Sequence, residues 1–143
     1  MYSEAIDRLN KEIEENMNQE IVRGLIRAVE VLRESSAERE EEIVKAVRRV
    51  FSYYVDSVGK SHLYTLTYLR RQKGVSRLRE CIRKTKGNLA DAEQMMMICV
   101  DTIADSKFHM GNNASKRPYN DWEDQLFGSE SKMEKWLEEA NRG

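Results

Sequence analysis

The chain has 143 residues, 34% of them charged, a single proline and a formal net charge of −1. No apolar run approaches the ~20 residues that span a bilayer, which excludes a membrane-spanning helix. Its two cysteines, Cys81 and Cys99, exclude a disulfide framework and read as small core residues in a reducing cytoplasm. The near-neutral total hides three blocks, with −6 over residues 1–42, +10 over 43–86 and −5 over 87–143. Concentrated like charge destabilises a fold by self-repulsion, so the +10 block needs a nucleic-acid backbone or the chain's own acids to offset it.

The N-terminus, Met1-Tyr2-Ser3-Glu4, has no basic region followed by an apolar one, so no secretory signal is expected. Ala5, Ile6, Leu9, Ile13 and Met17 recur at three or four residues and predict a first helix. Ile21, Val22, Leu25, Ile26, Val29 and Leu32 predict a second, which Gly24 weakens by about 1 kcal/mol relative to alanine. Ser35 and Glu38 have the spacing of a capping box and predict the start of a third helix. Its first turn is crowded by Glu38, Glu40, Glu41 and Glu42, which favour the positive end of a helix dipole. That helix continues through Ile43, Val47, Val50, Phe51 and Tyr54 and is expected to stop near Val58-Gly59.

A stretch from His62 to Arg71 carries Leu63, Leu66 and Leu69, is interrupted at Lys73-Gly74, and resumes from Val75 to Lys86. Gly87 is expected to end that helix and Asn88 to cap the next, which runs through Leu89, Ala92, Met96, Cys99, Val100 and Ile103. The Met95-Met96-Met97 triplet makes this helix apolar around much of its circumference, as burial between several helices would require. Residues 106–120 read as turns and loop. Ser131 and Glu134 form a second capping box that opens a last helix with Met133, Trp136 and Leu137. No segment alternates as a half-buried strand does. The expected fold is therefore all-α, a compact bundle of about six helices with a helical domain over 1–105 and a loop plus short helix over 106–143 packed on it.

The strongest functional candidate is a basic cluster. Arg70, Arg71, Lys73, Arg77, Arg79, Arg83, Lys84 and Lys86 are opposed within their span only by Glu80. Two short helices joined at Lys73-Gly74-Val75 have the outline of a helix-turn-helix, with Ser76–Thr85 as the recognition helix. On that outline Ser76, Arg77 and Arg79 approach base edges, while Lys60, Arg83, Lys84 and Lys86 meet phosphates. The helical wheel spreads these charges around the helix, so docking against the acidic N-terminal helices is the competing explanation.

Residues 104–140 contain Ser106, Phe108 and Gly111, then Trp122, Leu126 and Phe127, then Trp136 and Leu137. This order resembles the C-terminal tails of phage and mobile-element replication-initiator, or replisome-organiser, proteins. The resemblance implies a nucleic-acid role and a winged-helix domain ahead of the tail, but no strand pair for a wing is legible here. The aromatics also suffice to pin an irregular tail onto a helical core.

The leading expectation is a non-enzymatic, cytoplasmic, phage or mobile-element-type protein that binds DNA or RNA through residues 60–86. A protein-interaction module is the first alternative, an anti-CRISPR-like inhibitor of a host nuclease in which Glu38, Glu40, Glu41 and Glu42 compete with nucleic acid for a basic groove. A helical oligomer with the methionine-rich helix as its interface is the second. No catalytic residue, cofactor or metal is expected. His62 and His109 lack ligands at metal spacing, Asp101 and Asp105 read as water-facing carboxylates, and neither GxxxxGK[ST] nor GxGxxG occurs.

Overall fold

The structure, a computed structural model, describes residues 2–142, and its first element, α1, runs Tyr2–Val58 without a break. The three helices expected over this stretch are one. Ser35 and Glu38 lie in its interior, because extending a formed helix through two serines costs only tenths of a kcal/mol each while starting a new one requires fresh nucleation. The predicted stop holds. Gly59 takes a left-handed φ of +74°, and the Gly59 and Lys60 amides both donate to the Val55 carbonyl at 3.0 Å.

A loop leads to α2 (Tyr68–Lys84), where Thr67 Oγ1 caps the first turn by accepting from the Arg70 amide at 3.3 Å. This helix passes straight through Gly74, so the expected helix-turn-helix is absent. The correction has a packing cause. A Cβ at residue 74 would lie 2.7 Å from Val47 Cγ1 and 2.9 Å from Trp122 Cζ2, so the glycine marks close approach rather than a turn. Gly87 (φ +88°) ends the next connection, and Asn88 Oδ1 accepts from the Asp91 amide at 3.0 Å to start α3 (Leu89–Asp105), as predicted. After a loop over 106–121 comes a π-helical turn, Trp122–Leu126, and then α4 (Glu130–Arg142). The cap of α4 is Ser129, whose Oγ accepts from the Lys132 amide at 3.2 Å, and not the predicted Ser131.

The chain divides into two units, Met1–Glu40 and Glu41–Gly143. The first is helix throughout its described length, and none of residues 3–40 is buried. The second is an all-α bundle that holds the core. Ile43, Val47, Val50 and Tyr54 from the end of α1 meet Leu78 and Cys81 of α2, Met96, Val100 and Ile103 of α3, and Met133 and Trp136 of α4. Met96 is fully buried and Met95 and Met97 partly so, which places the methionine triplet between helices as expected. Trp122, Leu126 and Phe127 are also fully buried, with Trp122 edge-on to Phe51, Tyr54 and Phe127. No strand occurs among the described residues, and no helix there is long and apolar enough to cross a membrane.

Candidate nucleic-acid interface

Because α2 is one helix, its side chains sort by a single wheel. Gly74, Leu78 and Cys81 face the core. Arg70, Lys73, Arg77 and Lys84 are engaged within residues 41–143. Arg70 Nε donates to Glu123 Oε2 at 2.9 Å, an Arg70 Nη donates to the Thr65 carbonyl at 2.7 Å, and its guanidinium lies 3.7 Å from the Tyr64 ring centroid. Lys73 Nζ donates to the Gly128 carbonyl at 3.0 Å, and Lys84 Nζ donates to Glu134 Oε1 at 3.1 Å. Arg77 bonds Glu80 at 2.9 Å with both side chains nearly buried, 12% and 11% exposed, so the single acid of α2 is consumed one turn from its partner.

The opposite face is different. Tyr68, Arg71, Gln72, Ser76, Arg79 and Arg83 all lie exposed along it, with Lys86 just past the helix end, and the one acid of α2, Glu80, is buried away from it. Arg71 leans over the Tyr68 ring at 5.8 Å, and Gln72 donates to the Tyr68 hydroxyl at 2.7 Å. Lys60 stands in the preceding loop, 5.0 Å from the Tyr64 ring. Of the nine cations singled out in the sequence, the structure thus exposes Arg71, Arg79 and Arg83 along one side of α2 and sets Lys86 just past its end, whereas the side chains of Arg70, Lys73, Arg77 and Lys84 make the bonds given above. Arg77 does not lie beside Ser76 and Arg79 as a base-reading trio requires.

Glu123 is the residue sequence reasoning missed. It accepts from Arg70 and from the Tyr64 hydroxyl (2.8 Å), and Tyr64 in turn accepts from the Trp122 amide at 3.0 Å. The Trp122 ring N–H closes the network on the Arg70 carbonyl at 2.8 Å. Burial pushes the Glu123 carboxyl up, but the bonds from Arg70, the backbone and Tyr64 outweigh it and hold the group below its ordinary value. No local signal marks a pair 53 residues apart.

The acidic run Glu38, Glu40, Glu41 and Glu42 is partly self-compensated, since Lys45 lies 3.5 Å from Glu41 and 3.8 Å from Glu42 along the same helix. Tyr53 donates its hydroxyl to Asp101, which raises the Tyr53 pKa. Ser106 Oγ is 2.7 Å from His109 Nδ1 and also accepts from the His109 amide at 3.4 Å, so the pair staples a turn whose imidazole sits edge-on to Trp136 at 4.7 Å. Among the described residues no group of three or more His, Cys, Asp or Glu is placed to hold a metal ion. Burial pushes the Cys81 and Cys99 thiols up to about 11 and about 12, values that leave little thiolate for nucleophilic chemistry at neutral pH. No protein-family model, curated protein or solved structure matches this chain.

Proposed function

We propose that this protein binds nucleic acid through the outward face of α2. One observation carries the reading. Arg71, Arg79 and Arg83 share an exposed helical face with Gln72, Ser76 and Tyr68, while the only acid of the helix is turned away onto Arg77. Guanidinium groups on one face suit phosphate oxygens, hydroxyl and amide groups between them add neutral donors, and an α-helix fits the ~12 Å major groove of B-DNA. The resemblance of residues 104–140 to replication-initiator tails points the same way. The binding is electrostatic in character, with Arg71, Arg79, Arg83 and Lys86 as its main contributors and no base-reading trio.

Fluorescence anisotropy with a labelled 20-base-pair duplex and the matching single strand, from about 50 to 200 mM salt, tests this. Four neutralised phosphates give a log–log slope of roughly −3.6 on duplex. Arg71→Ala/Arg79→Ala/Arg83→Ala lowers the magnitude of that slope by roughly 2.7 at the same ~0.9 per contact. Lys45→Ala, a single-charge change outside α2, serves as a control expected to leave the slope unchanged. Absence of binding at 50 mM salt, or a slope unchanged in the triple variant, rules the reading out.

A further inference from the structure

Residues 6–32 present an apolar surface that nothing in the described chain covers. Eleven large apolar side chains between Ile6 and Leu32 are 44–65% exposed. At roughly 100 Å² each, they offer on the order of 1,000 Å². That exceeds the few hundred Å² of a typical monomer's largest apolar patch and the ~800 Å² per partner of a standard stable interface.

Two features identify the occupant. The first is spacing. From Ile6 the ridge reaches Leu32 in steps of 3, 4, 4, 4, 4, 4 and 3, a pattern that reads the same in either direction. It spends 26 residues on seven turns, about 3.7 per turn, close to the ~3.67 of nearly straight or gently right-handed helix pairs. The second is charge. Residues 2–20 carry six acids and two bases, a balance of −4, whereas residues 21–33 carry three arginines and one glutamate, a balance of +2. Side by side in register, two copies of this helix set −4 against −4. Reversed, each acidic half faces a basic half, and like-charge repulsion becomes attraction.

We propose that residues 6–32 bind a second copy of this chain as an antiparallel helix pair centred on Gln19. That register sets Ile6 beside Leu32 of the other copy, Ile13 beside Leu25 and Met17 beside Ile21, and the two-fold axis makes every such contact occur twice. No residue of this ridge belongs to α2, and the inference stands whether or not the basic face of α2 binds nucleic acid.

Sedimentation equilibrium on the full chain from about 1 to 100 μM reads the association directly. A dimer is expected. Ile13→Glu/Leu25→Glu raises its dissociation constant at least about a hundredfold and the milder Ile13→Ala/Leu25→Ala at least about tenfold, since each alters four apolar side chains, and so both Ile13–Leu25 contacts, of a two-fold interface. Near-ultraviolet circular dichroism of the buried aromatics confirms that residues 41–143 remain folded in both. A monomer at 100 μM, a trimer or larger species, or a dimer undisturbed by both double variants overturns the proposal. Orientation is read by mixing chains carrying Ile6→Cys with chains carrying Leu32→Cys under mild oxidation. Mixed disulfides are expected to dominate, and dominance of the Ile6→Cys self-disulfide overturns the antiparallel arrangement.

Discussion

Glu123 is tied by charge-assisted bonds to Arg70 and Tyr64, and this makes it a pH-dependent clasp between the π-helical turn and the start of α2. Its folded pKa lies below the ordinary value of 4.5. A depressed carboxylate contributes stability that is fully present above the unfolded pKa and is lost as pH falls through the folded one. Glu123→Gln is therefore expected to cost about 1.5–3 kcal/mol at pH 7, the usual worth of hydrogen bonds to a charged group. The difference from wild type shrinks steadily below about pH 4.5, where the native carboxyl takes up its proton. Urea midpoints of both proteins between pH 3 and pH 7 check this, and a gap that stays constant across the range counts against it. At this scale the sequence was informative only where the partner is near. Asn88 and Gly87 were legible because a cap and a left-handed glycine act within four residues. Arg70, Lys73 and Lys84 read as free cations because their partners, Glu123, Gly128 and Glu134, lie 50 or more residues away.

At the scale of elements, α2 shows how one residue type carries two opposite meanings. A glycine between two helical runs, as at Lys73-Gly74, reads as a turn from local propensity. The helix instead runs on, since Gly74 is the point at which Val47 and the Trp122 indole press against its backbone. Gly74→Ala therefore sets two effects against each other. Helix propensity favours alanine by about 0.8–1.0 kcal/mol. Overpacking a filled site costs about 1–3 kcal/mol, and the Trp122 ring is poorly able to yield because its N–H is held by the Arg70 carbonyl. The expected outcome is a net loss of up to about 2 kcal/mol, read as a lower urea midpoint at unchanged m-value. A higher midpoint would show that the indole moves aside. In α1 the apolar periodicity was legible along its whole length, but the boundaries between three supposed helices were not, because a capping-box spacing at Ser35 carries no weight once a helix already runs through it. The same periodicity also gave no sign that the stripe before Glu40 stays exposed while the stripe from Ile43 is buried, since amphipathic spacing reports a face that needs covering and not what covers it.

For the molecule as a whole, the division at Glu40/Glu41 recasts the charge pattern. Met1–Glu40 carries −4 and Glu41–Gly143 carries +3, so each unit has its own sign and its own source of stability. Among the described residues, every buried one lies in the second unit, from Ile43 to Trp136, and the folding of that unit draws on this core. The first has a helical backbone and an uncovered apolar ridge, so its order depends on whatever docks there, because helix propensity without packing leaves such a segment marginal. If the occupant is a second copy, mass action links the helicity of residues 2–40 to protein concentration but leaves residues 41–143 untouched. Thermal unfolding followed by far-ultraviolet circular dichroism is then expected to show two transitions. The lower one rises in temperature when the chain is concentrated a hundredfold, which supplies about 2.7 kcal/mol per mole of dimer at ~0.59 kcal/mol for RT. The upper one stays fixed and coincides with the loss of near-ultraviolet signal from the buried Trp122 and Trp136. A single transition whose midpoint ignores concentration would show instead that the helix before Glu40 needs no partner.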